Sequence, residues 1–167
     1  MHDPTRPTPW TQAGRQALGG VPYEELAREL EALLAGETDP VANAANAAAA
    51  IHHAVPALNW TGFYFLHGDQ LVLGPFQGRP ACVRIAIGQG VCGRAAAERR
   101  SIVVPDVTAF PGHIACDAAS RSELVVPLFR DDRVIGVLDL DSPDLARFDG
   151  RDRAGCEALA RVIVPYL

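Results

Sequence analysis

The first regular pattern along the chain is helical. Leucines recur at helical spacing within a glutamate-rich stretch, at Leu26, Leu30, Leu33 and Leu34. Gly36 is placed to end this segment. Asp39 followed by Pro40 is typical of an N-cap with proline at the first helical position, which predicts a second helix to about Val55. Residues 1–20 are rich in proline, glycine, threonine and glutamine without an apolar period, which predicts a flexible N-terminal tail.

The period changes at Asn59, where strands replace helices. The aromatic run 60–66 and the apolar run 71–73, separated by a glycine-containing turn, predict a β-hairpin. A loop with several glycines and prolines, beginning at Gly74, then leads to a short extended segment at 83–85. The later predicted elements are a helix at 91–98, a strand at 101–104, strands at 123–130 and 134–141, and a final helix from near Asp149.

This order of elements predicts an α+β fold. Two helices, a hairpin, a helical crossover, two further strands and a last helix fit an antiparallel β-sheet with helices packed mainly on one face. A length of 167 residues, with 49% hydrophobic and 21% charged residues, fits one globular domain. We therefore predict a single domain over residues 21–167. The loop 105–119 is too long for a plain connector, and such loops often carry functional residues.

The charge pattern argues against several classes of function. The net charge is −5 and no basic run occurs, so nucleic acid and anionic membranes are not expected partners. All 15 basic residues are arginine, which excludes a lysine Schiff base and P-loop chemistry. The N-terminus has no apolar signal-peptide core, and the uncharged stretch 40–68 is alanine-rich and interrupted by polar residues. We expect a cytoplasmic protein.

The four cysteines differ in their predicted surroundings. Cys116 follows His113 in the long glycine-bearing loop, where a substrate can approach and a positive neighbour favours a thiolate. Cys82 lies in the other long loop. Cys92 lies in the first turn of a helix, whose dipole also favours ionisation, and both packing and reactivity stay open for it. Cys156 lies on the apolar face of the last helix, where we expect inert packing.

Structural disulfides and a structural zinc site are the alternatives to reactive thiols. A chain of this size is large enough to fold without disulfide bonds, and it has no export signal. In a reducing compartment its thiols would stay reduced. Cys82, Cys92, His113 and Cys116 are suitable zinc ligands in type and number. However, no two cysteines have the short spacing of a structural zinc site. The sequence therefore predicts reactive or buried thiols and no metal.

Acidic residues share one face of a predicted strand. Asp139 and Asp141 are two residues apart and leave the same face, while Leu138 and Leu140 leave the other. Glu123 begins the neighbouring strand. One interpretation is a solvent-exposed sheet face. The other is a carboxylate pocket whose members raise one another's pKa, so that one stays protonated and donates to a substrate oxygen.

Two aromatic residues share a face of the first predicted strand. Trp60 and Tyr64 are four residues apart, so their side chains point the same way. They form either part of the core or an aromatic wall for a small apolar group.

Several segments together resemble one enzyme family. These segments are Asn59–Tyr64, Gly74–Gly78 with Ala81-Cys82, Gly90–Gly93, Phe110–Asp117, Ser122-Glu123 and Gly136–Pro143. In this order they are similar to the free methionine-(R)-sulfoxide reductases, a family built on the GAF fold, from about Asn59 to Phe148. A generic GAF domain would share only the glycine and strand pattern, so the combination is specific.

The resemblance implies thiol-dependent reduction of free methionine-(R)-sulfoxide to methionine. Cys116 would attack the sulfoxide sulfur and become a sulfenic acid. Cys82 would resolve it as a disulfide, which a thioredoxin-like dithiol would reduce. Cys92 matches a family cysteine with a less settled role. Such an enzyme needs no cofactor or metal, and the family resemblance also implies a homodimer.

The resemblance also implies roles for the remaining site residues. Glu123 and Asp141 would polarise or protonate the sulfoxide oxygen, and Asp139 would help to hold the ammonium group. Trp60 and Tyr64 would line the methyl pocket. The alternative of another class is a GAF sensor that binds a small ligand without catalysis. A sensor normally needs an output domain, and here we expect only the short tail beside the domain.

Overall fold

The computed structural model describes residues 21–114 and 117–167. Its helices are α1 (Tyr23–Leu34), α2 (Pro40–Ala54), α3 (Gly90–Glu98) and α4 (Gly150–Ile163). Its strands are β1 (Trp60–His67), β2 (Gln70–Gln77), β3 (Arg84–Ala86), β4 (Ile102–Val104), β5 (Ser122–Arg130) and β6 (Arg133–Ser142). Short 3₁₀ helices cover Val107–Ala109 and Val164–Tyr166. The predicted tail 1–20 and Cys116 lie outside the described residues.

The strands form one six-stranded antiparallel sheet in the order β3-β2-β1-β6-β5-β4. The central strands β1 and β6 pair in a register that sets Gly62 opposite Asp139. On the other side of β6, Asp141 is opposite Glu123 of β5. The predicted α+β class is confirmed, and the register brings acidic residues from two strands together.

The two faces of the sheet contact different helices. On one face, α1, α2 and α4 pack against Phe63, Leu138 and Leu140 in one apolar core. On the opposite face, α3 packs against Val125 and Val137 in a smaller core. Within the described residues, three helices lie on one face and one on the other, which agrees with the expectation that the helices pack mainly on one side.

Local signals for the helices agree with the structure, with one exception. The Asp39 side chain accepts hydrogen bonds from the backbone N–H groups of Val41 and Ala42, both at 2.9 Å, as an N-cap does. Leu33, one of the four leucines at helical spacing, is 43% exposed. Leu26, Leu30 and Leu34 are each four residues apart and fill one stripe, which leaves Leu33 outside it. None of the helices in the described ranges is long and apolar enough to cross a membrane.

The second strand is longer than the sequence predicts. The glycine and proline at Gly74 and Pro75 indicate a loop, but β2 continues through them to Gln77. The pairing of β1 with β2 shifts register between Gly62 and Tyr64, opposite these residues, and β3 pairs only with positions 70–72 of β2. Pro75 therefore lies at an irregular point of a locally unpaired edge, where its missing N–H breaks no regular ladder.

Candidate functional site

A pocket lies on the α3 face of the sheet. Strands β1, β5 and β6, the first turn of α3 and two loops surround it. Six of the residues selected from the sequence line it: Trp60, Tyr64, Cys92, Glu123, Asp139 and Asp141. The sheet therefore gathers in one place residues that are up to about eighty positions apart in the chain.

Strand register brings three carboxyl groups together in this pocket. Glu123 on β5 pairs directly with Asp141 on β6, and Asp139 lies two residues before Asp141 on the same face. Glu123 and Asp139 are each 6% exposed, so these two side chains do not lie on a solvated sheet face. His113 reaches in from the loop, and its Nε2 atom lies 3.5 Å from Glu123 Oε2.

Burial raises the pKa of all three carboxyl groups. It raises the pKa of Glu123 to about 7, against the opposing hydrogen bond with His113 and with a contribution from the charge of Asp141. The pKa of Asp139 is well above its usual range because of burial and then of the neighbouring Glu123. Burial and the charge of Asp139 raise the pKa of Asp141 in the same way. At neutral pH the group therefore retains protons, and a protonated carboxyl donates a hydrogen bond to an oxygen atom.

Cys92 lies in the first turn of α3 and points to the same carboxyl groups. Its Sγ atom is 4.0 Å from Glu123 Oε1, within the range of a weak S–H donor. Burial, followed by the charges of Asp139 and Glu123, raises the pKa of this thiol well above its usual value. The expectation that the helix dipole favours its thiolate is wrong here, because burial beside two acidic groups outweighs the dipole.

Trp60 and Tyr64 belong to the buried core and also form one wall of the pocket. Each is 2% exposed, and their rings stack with centroids 5.9 Å apart. The indole Nε1 of Trp60 donates to the carbonyl oxygen of Arg79 at 3.1 Å, and the Tyr64 hydroxyl donates to that of Cys82 at 2.9 Å. Two buried polar groups of the wall thereby hold the loop that carries Cys82.

Gly62 permits this aromatic arrangement. A Cβ atom at this position would lie 2.4 Å from Cβ of Phe76 and 2.6 Å from Cη2 of Trp60. The rings of Trp60 and Phe76 stack at 5.3 Å, with Gly62 beneath them. A residue with a side chain would therefore displace the wall.

The cysteines of the described residues are in different states. Cys82 is disulfide-bonded, whereas Cys92 and Cys156 are free thiols. Cys156, on the buried face of α4, is fully enclosed in the core, and burial raises its pKa to about 12, which agrees with the expected packing role. The position of Cys116, the proposed nucleophile, lies outside the described residues.

Comparison with known proteins decides the family. A family model for the GAF domain matches residues 42–165. The free methionine-R-sulfoxide reductase of Escherichia coli (strain K12) is 50% identical over 137 residues, which cover 82% of this chain and 83% of that protein. The chain belongs to this family of GAF-fold reductases.

Two further free methionine-R-sulfoxide reductases extend the comparison. That of Saccharomyces cerevisiae is 43% identical over 148 residues, covering 84% of this chain and 82% of that protein. The X-ray structure of the reductase from Neisseria meningitidis in complex with its substrate has a TM-score of 0.83 and 50% identity, covering 86% of this chain and 87% of that one. The predicted enzyme class, an oxidoreductase, is confirmed at the level of the family.

The reductase pocket includes residues that the sequence did not single out. Asn59 donates through Nδ2 to Asp117 Oδ2 at 3.1 Å and to Ser120 Oγ at 3.0 Å. Arg79 Nη1 lies 3.9 Å from Asp117 Oδ1, and Asp117 and Ser120 line the pocket. This network joins the loop around Arg79 to the loop around Asp117. Asn59 and Asp117 both occur in the segments that resemble the family, so a signal for them was present.

His113 contacts an acidic residue of the pocket. The sequence places it three residues before Cys116, as part of a thiolate environment. In the structure its ring contacts the carboxyl group of Glu123 and lowers that group's pKa, against the effect of burial. Its observed contact is therefore with the acidic group of this GAF pocket.

Proposed function

We propose that this protein reduces free methionine-(R)-sulfoxide to methionine with its own thiols. The observation that carries the proposal is a pocket with proton-retaining carboxyl groups next to a buried aromatic wall. A free amino acid sulfoxide presents a sulfoxide oxygen, an ammonium group and an apolar methyl group. The pocket offers a hydrogen-bond donor, an anionic group and an aromatic surface for these three. Membership of the reductase family supports the same substrate.

The proposed reaction begins at Cys116. Its thiolate attacks the sulfoxide sulfur, and the oxygen passes to the Cys116 sulfur as a sulfenic acid with uptake of one proton. The substrate sulfur is reduced by two electrons to the thioether, and methionine leaves. Cys82 then attacks the sulfenic acid, an S–S bond forms, and the oxygen leaves as water.

The carboxyl groups supply the proton and hold the substrate in this scheme. Protonated Glu123 or Asp141 donates to the sulfoxide oxygen, which makes the sulfur more electrophilic. Asp139, ionised when the substrate is bound, accepts hydrogen bonds from the ammonium group. Trp60 and Tyr64 contact the methyl end. Because the bound ammonium offsets the negative charge of the pocket, the thiolate forms more readily when substrate is present.

The state of Cys82 supports a redox cycle rather than simple binding. Cys82 is disulfide-bonded. The pocket beside it has about 30 Å³ of space that water can enter, compared with roughly 150 Å³ for a cavity that binds benzene. Methionine sulfoxide is larger than benzene. We therefore expect substrate to bind after a thioredoxin-like dithiol has reduced the disulfide.

Three matched variants test the proposal. Wild-type protein, Cys116→Ser, Cys82→Ser and the control Cys156→Ser are incubated with both sulfoxide epimers, first with dithiothreitol and then with a thioredoxin system. We expect loss of the R epimer alone, no turnover by Cys116→Ser, and one turnover without recycling through thioredoxin for Cys82→Ser. Cys156→Ser should retain activity, because this buried thiol of α4 lies in the core on the other face of the sheet from the pocket.

Two outcomes would contradict the proposal. Full activity of Cys116→Ser would remove the assigned nucleophile. No turnover of either epimer by wild-type protein with fully reduced thiols would favour a GAF sensor that binds a small ligand.

A homodimer and a cytoplasmic location complete the proposal. Both come from the sequence and the family resemblance. Light scattering of the purified protein tests the first, and cell fractionation tests the second.

A further inference from the structure

We propose that the reduced protein binds a zinc-type divalent ion in the pocket, through Cys92, Glu123 and Asp139. Their ligand atoms, one sulfur and two carboxylate oxygens, all lie within 4.8 Å of one another, and all three residues are buried. His113 contacts Glu123 from the loop but does not belong to this group of ligand atoms. Such a site would be separate from the thiols that carry the proposed reaction.

The distances are close to those around a four-coordinate ion. With zinc–sulfur and zinc–oxygen bonds of about 2.3 and 2.0 Å, a tetrahedral site separates a sulfur from an oxygen ligand by about 3.5 Å. Cys92 Sγ is 4.0 Å from Glu123 Oε1. A side-chain movement of about half an ångström would bring this sulfur and this oxygen to the spacing of two zinc ligands.

An unsatisfied buried atom points independently to a missing partner. Asp139 is 6% exposed and lines the pocket, and its Oδ1 atom has no hydrogen-bond partner among the described residues. Leaving a buried carboxylate oxygen without a partner is costly. A bound cation would satisfy this oxygen and offset the negative charge of the two acidic residues.

The donor set selects the class of ion. One thiolate and two carboxylates, with water as the fourth ligand, match Zn²⁺ and similar borderline ions. Mg²⁺ and Ca²⁺ prefer six or more oxygen ligands, which these three side chains do not provide. Occupation would cover Glu123 and Asp139, so zinc would inhibit turnover. That consequence rests on the proposed function, whereas the binding itself does not.

Cobalt spectroscopy of a simplified protein tests the site without any assay of activity. In untagged full-length protein with Cys82→Ser and Cys116→Ser, Cys92 and Cys156 are the remaining thiols. Co²⁺ should give one thiolate-to-cobalt charge-transfer band per protein and the intense visible absorption of tetrahedral cobalt. Zn²⁺ should bleach both, and a large excess of Mg²⁺ should not.

Matched variants in the same background assign the ligands. Cys92→Ala should abolish the thiolate band and weaken zinc binding, measured by competition with a chromophoric chelator, by at least about tenfold. Asp139→Asn should weaken zinc binding by a similar factor while the band persists. Cys156→Ala, the other buried free thiol, should leave both unchanged.

The inference is overturned if Cys92→Ala binds zinc as tightly as its parent, or if cobalt shows an oxygen-only octahedral spectrum. If the simplified background does not fold, the same comparison is made in reduced wild-type protein. There, equal zinc stoichiometry with and without Cys92 overturns it. A result for or against zinc leaves the sulfoxide assay unaffected, so the two proposals fail separately.

Discussion

The two faces of the sheet bury different kinds of side chain. Toward α1, α2 and α4 the strands bury apolar side chains such as Phe63, Leu128 and Leu140, which need no polar partner. Toward α3 the same strands bury Glu123 and Asp139, whose pKa values rise because they lie away from water. Since side chains alternate along a strand, β5 and β6 each contribute apolar side chains to one face and carboxyl groups to the other.

Two buried aspartates make the contrast sharper. Asp152, 7% exposed, accepts hydrogen bonds from the Tyr23 hydroxyl at 2.7 Å, from Arg147 at 3.0 Å and from the backbone N–H of Asp149 at 3.0 Å. Asp139 is similarly buried, but one of its oxygens has no partner among the described residues. Asp152 joins α1 to α4, and Asp139 remains available for a ligand. A buried carboxylate oxygen without a partner is costly to the fold, and such costs are typical of functional sites.

The largest expected effect is on the activity of the pocket face. Glu123→Gln and Asp141→Asn should each lower kcat/KM for methionine-(R)-sulfoxide by about 10²- to 10⁴-fold, because a positioned proton donor is lost. Neither variant should lower the melting temperature, since each replaces a costly buried acid with a neutral amide. Asp132→Asn, in an exposed turn, is the control for removal of a charge. Wild-type kcat/KM in both pocket variants would contradict the assigned roles.

On the apolar face the expected effect is on stability. Leu128 is fully buried in the core against the helices, so Leu128→Ala should lower the free energy of unfolding by about 2–5 kcal/mol. Urea denaturation measures this change. Specific activity per folded molecule should stay at the wild-type level, because Leu128 points away from the pocket. A large fall in kcat of the folded fraction would show that the two faces are coupled.

The stability of the protein should also depend on pH, because of Glu123 on the pocket face. The pKa of Glu123 rises from 4.5 to about 7 on folding, so the folded protein holds a proton that the unfolded chain has lost between these values. Its contribution to stability is therefore full below pH 4.5 and is lost as the pH rises to about 7, a change of roughly 3 kcal/mol.

Urea denaturation of wild type and Glu123→Gln across this pH range is the measurement. The free energy of unfolding of Glu123→Gln should not show the loss that Glu123 causes between pH 4.5 and 7. Relative to wild type, the variant should therefore become more stable as the pH rises toward 7. Parallel profiles for the two proteins would show that Glu123 does not hold the proton.

The smallest expected effect concerns Asp152, the buried aspartate whose oxygens accept several hydrogen bonds. Tyr23→Phe removes the hydroxyl that donates to Asp152 and should cost about 1 to 2 kcal/mol, since Arg147 and the backbone remain as partners. Asp139→Asn should instead leave stability unchanged or raise it. In thermal denaturation, Tyr23→Phe should lower the melting temperature, whereas Asp139→Asn should not. Destabilisation by both variants would mean that Asp139 has structural partners comparable to those of Asp152.

Local signals accounted for most of the secondary structure. The N-cap at Asp39 and the alternation of Leu138 to Asp141 act through neighbouring residues, so sequence alone is sufficient to predict them. The extension of β2 through Pro75 was missed, because proline is tolerated there only where pairing with β1 is irregular and β3 has ended. That condition depends on the partner strands.

The pocket shows the same division between local and tertiary information. The residue types and their order were sufficient to place the chain in its family and to select Glu123, Asp139 and Asp141. Whether these carboxyl groups were solvated or buried was open, since spacing along one strand does not say what covers it. The packing of α3 and the approach of His113 decided burial, and burial raised the pKa values.

Metal ligation illustrates the limit of sequence spacing. Cysteine separations argued against a structural zinc site, and they describe ligands on one local segment. The group of Cys92, Glu123 and Asp139 comes from a helix and two paired strands, so only strand register and helix packing bring it together. The sequence by itself determined the chemistry of the side chains and the faces on which they lie. The tertiary structure alone decided their distances, their exclusion from water and therefore their protonation.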